Sequence, residues 1–310
     1  MIDEQGELDS DLDVFEQPVT AEVPAQSQSW EILPSAMMLT LEEADELLCW
    51  RDSAIIAVVG EKNGGKTTLI TELYGRFLRG PFANTMFCNS LSLLGFERKC
   101  YQSRAASGMY TPETPRTSVQ DGLSFFHLAV SNESDLQRRD LLISERAGEV
   151  YKQIRDKPEL AMDMVEICKA TSIAFIVDGE RVASSRTRHE VFSSVRTTIR
   201  ALLSSGCILA KTQIQLVTTK YDLLQGEEMN DARQALTEFE QVITVLLKEK
   251  FNLSFFHTSA RNPKAGTEPG QGLAPLFQVW MSPKPLEILD VKMPVLNNEF
   301  DRLMLRRGAL

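Results

Sequence analysis

The chain has 310 residues, of which 43% are apolar, enough for one large domain or for one domain with extensions. Its charge is unevenly placed: residues 1–50 hold thirteen acidic and no basic residues, so residues 51–310 carry +3 within a total of −10. A nearly neutral body argues against general nucleic-acid binding. Because no apolar run approaches the ~18 residues of a membrane helix and the start is acidic, we expect neither a membrane span nor a secretory signal.

The cysteines are odd in number and widely spaced, and they are Cys49, Cys88, Cys100, Cys168 and Cys207. They form no Cys-x-x-Cys pair and no cysteine–histidine pattern of a metal site. We therefore expect a reducing, cytoplasmic location, with most of the cysteines as small core residues.

Residues 1–37 predict an acidic tail, since the segment has too little apolar surface to offset the entropy of ordering it. A partner-binding arm is the alternative, because Val14-Phe15 and Trp30–Leu33 place apolar anchors among the acids. Residues 40–50 then predict a short amphipathic helix, with Thr40 and Glu43 as its capping box.

A buried strand, a glycine turn and a helix start follow one another over residues 54–68. Within them, residues 60–67 fit the pattern G-x-x-x-x-G-K-[ST] of a phosphate-binding loop, and the alternative is a chance match. Glycines let consecutive amides point at an anion, and the helix start adds its positive dipole end. We expect Lys66 to reach the β- and γ-phosphates and Thr67 to hold Mg²⁺. The predicted nucleotide contacts in this loop are Gly60, Glu61, Lys62, Asn63, Gly64, Gly65, Lys66, Thr67 and Thr68.

The helix after Lys66 ends near Gly80-Pro81, and residues 82–121 form an insertion before the next strand. In a nucleotide switch protein, a threonine at this location meets Mg²⁺ and the γ-phosphate. Thr117 and Thr114 are the candidates, and Thr117 is preferred because it lies closer to the following strand. The alternative is a surface loop.

Residues 123–130 and 140–144 predict two strands that are close enough in sequence to pair antiparallel. The second strand ends in Glu145-Arg-Ala-Gly148, in the place of the Asp-x-x-Gly box of nucleotide switch proteins. We expect Glu145 to contact Mg²⁺ through water and the Gly148 amide to sense the γ-phosphate.

Residues 213–218 predict another buried strand, which ends in Thr219-Lys220-Tyr221-Asp222. A carboxylate at Asp222 can accept from guanine N1–H and from the exocyclic amine, whereas adenine lacks that pair of donors. The stem of Lys220 would lie along the base. Ser259-Ala260 follow the last strand, where a backbone amide can face guanine O6. Taken alone, each of these short motifs is equally compatible with an ordinary charged turn.

In this order, the motifs resemble those of Ras-like P-loop GTPases over residues 54–281. The insertion, with Leu94–Arg98 followed by Thr114–Thr117, resembles the TRAFAC-type double-GTPase domains linked to bacterial conflict and anti-phage systems. This resemblance implies a guanine-nucleotide switch that binds GTP or GDP with Mg²⁺ and works with companion proteins.

We predict an α/β protein with the three-layer P-loop NTPase fold: a mostly parallel six-stranded sheet with helices on both faces. The predicted strands cover residues 54–59, 123–130, 140–144, 172–177, 213–218 and 253–258. The ligand belongs at their carboxyl ends. The GTPase domain is expected over residues 38–281. Residues 282–310 form an extension that either covers a sheet edge or binds a partner.

Catalysis is where the chain departs from its relatives, because Glu149 stands where Ras-like proteins usually have a glutamine. A carboxylate can orient water, but it also repels a triphosphate, so hydrolysis is expected to be slow without a partner. Arg116 and Arg146 are each a candidate internal arginine finger, and a surface salt bridge is the alternative for both. The predicted catalytic residues are Lys66, Glu149, Thr117 and Arg116. A non-hydrolysing scaffold is the alternative function, and an ATPase or kinase is disfavoured by Thr219–Asp222.

Overall fold

Seven strands form the central sheet of the protein in a computed structural model that describes residues 36–101, 117–134, 136–248, 250–260, 270–282 and 299. The strands are β1 (Ser53–Val59), β2 (Thr85–Asn89), β3 (Ser124–Asn132), β4 (Arg138–Glu145), β5 (Ser172–Asp178), β6 (Gln213–Thr219) and β7 (Leu253–His257). Their order across the sheet is β2-β3-β4-β1-β5-β6-β7.

The strands from β4 to β7 across the sheet run parallel, and the other two pairs are antiparallel. Parallel strands bring their carboxyl ends to one edge, where loops can assemble a ligand site. The register of β5 and β6 pairs Asp178 with Thr219, so the segments that follow these two strands begin side by side.

Nine α-helices of four residues or more occur in the described part of the chain. They are α1 (Leu41–Trp50), α2 (Lys66–Phe77), α3 (Leu93–Tyr101), α4 (Gly148–Asp156), α5 (Val165–Cys168), α6 (Gly179–Ala183), α7 (Arg188–Ser205), α8 (Asn230–Leu247) and α9 (Leu273–Trp280). The predicted capping box of α1 is confirmed, because Thr40 and Glu43 exchange both hydrogen bonds.

Alternate residues of the central strand β1 point into two separate apolar cores. Ile56 and Val58 pack with α2, α3 and α9 on one face, whereas Ala57 and Val59 pack with α4, α5, α7 and α8 on the other. Burial on both faces explains why β1 is an unbroken apolar run rather than an alternating one. The α/β fold with helices on both faces is therefore confirmed, as is the antiparallel pairing of β3 with β4.

The sheet has one strand more than predicted, because the insertion contributes β2 at its edge, followed by α3. The strand Thr85–Asn89 is exposed at four of its five positions, so it carries no alternating apolar pattern. Its pairing with β3 comes from backbone hydrogen bonds, which leave no signal in the side chains.

No helix in the described ranges is both long and apolar enough to cross a bilayer. The predicted tail lies outside the described residues up to position 35, and the predicted extension does so from position 283 apart from Glu299. Both assignments stay predictions.

Candidate functional site

The loop between β1 and α2 has the backbone of an anion cradle. Asn63 and Gly65 adopt positive φ angles of 61° and 85°, which turn the chain tightly before the helix begins at Lys66. Gly65 occupies the N-cap position, where no described side chain caps the helix. The amides of its first turn, which includes Thr67 and Thr68, are therefore oriented for a phosphate.

Lys66 crosses this loop with its side chain almost fully buried. Its Nζ donates to the carbonyl oxygens of Gly60 and Glu61, each at 2.9 Å. Burial lowers the pKa of Lys66, while the carboxylates of Glu145, Glu149 and Glu61 oppose the shift. The ammonium group is thus held at the centre of the loop, where a phosphate oxygen can replace a carbonyl as its partner.

The three predicted metal ligands meet at one carboxylate. Thr67 Oγ1 donates to Glu145 Oε1 at 2.5 Å, and Thr117 Oγ1 donates to the same oxygen. Glu145 is 1% exposed, and its Oε2 has no hydrogen-bond partner within the described part of the chain. Two hydroxyls and a carboxylate with a vacant buried oxygen form the hard oxygen donor set that suits Mg²⁺.

Gly148, at the start of α4, lies directly against the phosphate loop. A Cβ built on it would be 2.4 Å from the Lys62 nitrogen and 2.5 Å from the Glu61 carbonyl carbon. The next residue, Glu149, forms an ion pair with Lys62, whose Nζ lies 2.9 Å from Oε1. The hydrogen bond from Lys62 lowers the pKa of Glu149. The predicted water-orienting carboxylate is thus tied to a loop lysine.

The side chain of Glu61 points away from the loop and into a polar network that the sequence analysis missed. Arg181 and Ser194 donate to its two oxygens, and Arg155 Nη1 lies 3.1 Å from Oε1. Burial raises the pKa of Glu61, but these hydrogen bonds outweigh it and leave the pKa lowered. The predicted contact of Glu61 with nucleotide can therefore involve only its main chain.

This network lines a cleft of about 720 Å³ between α4, α7 and the phosphate loop. Arg155, Arg181 and Ser194 come from three different helices, and Ser194 lies 133 residues from Glu61. Sequence spacing could not have connected them. A glutamate inside a phosphate loop was the available signal, because it requires cations elsewhere in the fold.

The Thr-Lys-x-Asp segment is bonded to the phosphate loop at two points. Thr219 Oγ1 donates to the Gly64 carbonyl at 2.7 Å, and Lys220 Nζ donates to the Asn63 carbonyl at 3.0 Å. Lys220 takes a left-handed φ of 50°, so the chain turns sharply after β6. The segment predicted to read the base and the loop predicted to hold the phosphates therefore form one rigid unit.

Two acids after β5, which were not predicted as site residues, hold Lys220 in place. Its Nζ lies 3.0 Å from Asp178 Oδ1 and 2.8 Å from Glu180 Oε2. Burial opposes the charge of Lys220, but these two carboxylates outweigh it and raise its pKa. The paired register of β5 and β6 brings the three residues together.

Asp222 presents a buried carboxylate oxygen to the site. Its amide donates to Ser259 Oγ at 2.9 Å, while its Oδ1 has no hydrogen-bond partner among the described residues. An unpaired buried oxygen is costly, so a ligand donor is expected there. The Ser259 amide donates to the Gln271 carbonyl at 3.0 Å, so the amide predicted to face guanine O6 is that of Ala260.

The two candidate arginines have different outcomes. Arg146 Nε lies 2.7 Å from Oε1 of the fully buried Glu166, and its second nitrogen donates to Oε2 at 3.2 Å. The salt-bridge alternative for Arg146 is therefore confirmed. Arg116 and Thr114 lie outside the described residues, so their roles stay predictions.

Comparison with solved structures finds similar chains, all at low identity. The bacterial selenocysteine-specific elongation factor EF-Sec is 20% identical with a TM-score of 0.37, and the match covers 73% of this chain but only 28% of that one. The signal recognition particle receptor SRb from Chaetomium thermophilum, solved as a GTP complex with SRX, is 16% identical with a TM-score of 0.39 and coverages of 74% and 96%. The GTP-bound Ski7 GTPase-like domain of S. cerevisiae is 14% identical with a TM-score of 0.39 and coverages of 79% and 53%.

No curated protein sequence matches the chain. The sequence model of the Double-GTPase 2 family matches residues 54–281, from the first strand through the last described helix. This match includes the phosphate loop, the Glu-x-x-Gly box and the Thr-Lys-x-Asp segment, and it confirms the resemblance predicted from those motifs. The chain belongs to the Double-GTPase 2 family.

Proposed function

We propose that this protein is a guanine-nucleotide switch that binds Mg-GTP, hydrolyses it slowly and signals through its nucleotide state to companion proteins. Family membership supports guanine-nucleotide binding. The slow rate and the companion proteins, in a bacterial defence setting, follow from the motifs and from the resemblance to conflict-system domains.

One observation carries the choice of nucleotide. Asp222 offers a buried Oδ1 that is unpaired among the described residues, and it belongs to a segment that Thr219 and Lys220 fasten to the phosphate loop. A guanine base supplies the two donors that this carboxylate requires, whereas adenine does not. The same attachment places the base at a set distance from the phosphates.

The donor set around Glu145 supports a magnesium ion. Thr67, Thr117 and Glu145 are the residues that would hold it, either directly or through water. When bound, Mg²⁺ supplies charge neutralisation for the phosphates. Within the chain itself, Lys66 binds phosphate oxygens, and the Gly148 amide contacts the terminal phosphate.

Slow turnover follows from the residue beside the terminal phosphate. In-line attack by water requires positioning and charge neutralisation more than covalent help. Glu149 can orient water, but its negative charge adds to that of the triphosphate. We therefore expect a rate near the ~10⁻⁴ to 10⁻² s⁻¹ of unassisted GTPases.

A non-hydrolysing nucleotide-binding scaffold is the second candidate. The ion pair between Glu149 and Lys62 favours it, because a carboxylate held by a lysine is less available to a water molecule. Both candidates bind guanine nucleotide, and only turnover separates them.

The first experiment is competition for a fluorescent guanine nucleotide. GTP and GDP should displace the probe far more effectively than ATP, by up to ~10⁴-fold, because a site built for hydrogen-bond donors rejects a base that lacks them. Equal competition by ATP and GTP would refute the guanine assignment.

The second experiment is single-turnover hydrolysis of labelled GTP with Mg²⁺, with the Lys66→Ala protein as the blank. Phosphate release that exceeds the blank supports the switch, and release that equals it supports the scaffold. A rate above about 1 s⁻¹ would show that the protein completes its own catalytic site without a partner.

Partner binding is tested by comparing the proteins captured from a bacterial extract by the GTP-loaded and GDP-loaded forms. A partner that depends on the switch must prefer one of the two forms and be lost with Lys66→Ala. Identical capture by all three preparations would argue against signalling through the nucleotide state.

A further inference from the structure

A lysine inside the phosphate loop stands at the point where the loop meets the start of α4. The Lys62 amide is so close to Gly148 that no Cβ fits between them, and its Nζ lies 2.9 Å from Glu149 Oε1. Gly148 and Glu149 are the residues expected beside the terminal phosphate. The side chain of Lys62 therefore begins next to that phosphate and is long enough to reach it.

The other cations described around this cleft are already paired in buried or half-buried networks. Arg155 and Arg181 bind Glu61, and Arg146 binds the buried Glu166. By contrast, the side chains of Lys62 and Glu149 are 51% and 39% exposed. Exposed ion pairs contribute little stability, so Lys62 can exchange its partner at small cost.

The charges at the phosphate end require a second cation. Lys66 contributes one positive charge, and Glu145 and Glu149 contribute two negative charges near it. Without Lys62, the protein groups would therefore present a net negative charge to a polyanionic substrate. With Lys62, the pair next to Gly148 is neutral, and a cation lies where negative charge develops during phosphoryl transfer.

We propose that Lys62 is a catalytic residue, an internal cation that Glu149 holds in the nucleotide-free protein and that moves to the γ-phosphate of bound GTP. This inference rests on the proposed function and deepens it, because it assigns to the chain the positive charge that other GTPases receive from an arginine. In the bound state, the ammonium group neutralises γ-phosphate oxygens and releases the Glu149 carboxylate to orient water.

The first test compares Lys62→Met, which keeps the stem without the charge, with Lys62→Arg, which keeps the charge. In single-turnover hydrolysis, Lys62→Met should lower the rate on the order of 10²-fold, and Lys62→Arg should retain most of it. Lys152→Met is the matched control, since Lys152 is exposed on α4 and lines the same cleft. Wild-type rates in Lys62→Met would overturn the proposal.

The second test needs no turnover. Because Lys62 would contact only the γ-phosphate, Lys62→Met should weaken a non-hydrolysable GTP analogue about tenfold while GDP affinity changes little. An equal loss of both ligands, or of neither, would show that Lys62 makes no contact specific to the γ-phosphate and would overturn the proposal.

A double-mutant comparison separates direct action from action through Glu149. If Lys62 acts on the phosphate, Lys62→Met should slow hydrolysis in the Glu149→Gln background as well. If the effect disappears there, Lys62 only positions Glu149 and the catalytic assignment is wrong. A wild-type protein that binds GTP without hydrolysing it also overturns the assignment, whereas indifference between GTP and ATP refutes the proposed function itself.

Discussion

Gly148 and Lys62 are in direct main-chain contact: a Cβ on Gly148 would lie 2.4 Å from the Lys62 nitrogen, a distance that real Cβ atoms do not reach. The neighbouring atoms are backbone atoms of the phosphate loop, including the Gly60 carbonyl oxygen at 2.9 Å. A larger residue at this position must therefore separate the start of α4 from the loop.

We predict that Gly148→Ala weakens binding of a GTP analogue by about tenfold or more while GDP binding changes less, because the Gly148 amide faces the terminal phosphate. The measurement is titration calorimetry with both ligands. Gly75→Ala is the control: its Cβ would lie 3.9 Å from Glu72 within α2, and removing a helical glycine should stabilise the protein by about 0.5–1 kcal/mol. Unchanged analogue affinity in Gly148→Ala would contradict the prediction.

Asp222→Asn should reverse the hydrogen-bonding character of the base site. An amide in place of the carboxylate cannot accept from both guanine donors, so GTP affinity should fall by at least about 10²-fold and xanthosine triphosphate should bind better than GTP. Competition binding with the two nucleotides measures this exchange. Asp163→Asn makes the same chemical change at an exposed position and should leave both affinities as they are. Equal losses for the two bases would argue against direct base reading.

A buried charge network should make stability depend on pH. Asp140 is 4% exposed and accepts from His127 Nε2 at 2.9 Å and from two nitrogens of Arg138 at 2.9 and 2.7 Å. Burial raises the pKa of Asp140, but these hydrogen bonds outweigh it and hold the pKa well below the usual range. A lowered pKa stabilises the fold above the pKa of the unfolded chain, near 3.9, and this contribution is lost as the pH falls below that value.

Asp140→Asn removes this titrating group. At pH 7 the variant should be less stable by about 1–3 kcal/mol, because its hydrogen bonds lose their charge assistance. The difference from wild type should shrink between pH 5 and pH 3, as the wild-type carboxylate takes up a proton on unfolding. Urea unfolding at several pH values measures it. A difference that stays constant with pH would show that Asp140 does not couple stability to protonation.

Arg146 should matter for stability more than for chemistry. It is paired with Glu166, which is fully buried and whose pKa is raised by that burial. Arg146→Ala leaves this carboxyl without its cation and should cost about 3–5 kcal/mol of unfolding free energy. Adding Glu166→Gln removes the stranded charge and should recover part of that loss. A stable Arg146→Ala protein with slow hydrolysis would instead favour Arg146 as an arginine finger.

Much of the fold could be predicted from local patterns. The strands β1, β5 and β6 are buried on both faces and appear as short apolar runs, and α2 and α8 carry apolar stripes at helical spacing. The edge strand β2 could not be predicted in this way, because four of its five side chains are exposed and its backbone pairing leaves no trace in the sequence.

The candidate site divides along the same line. The sequence by itself determined the motifs and their order, since a phosphate loop depends on residues that are neighbours in the chain: Gly65 supplies the positive φ and Lys66 starts the helix. Only the tertiary structure decided which side chains meet. Thr67 and Glu145 are 78 residues apart, Ser194 and Glu61 are 133 apart, and no spacing rule links either pair. Such contacts depend on the order and register of the strands, which hydrogen bonds between distant segments establish.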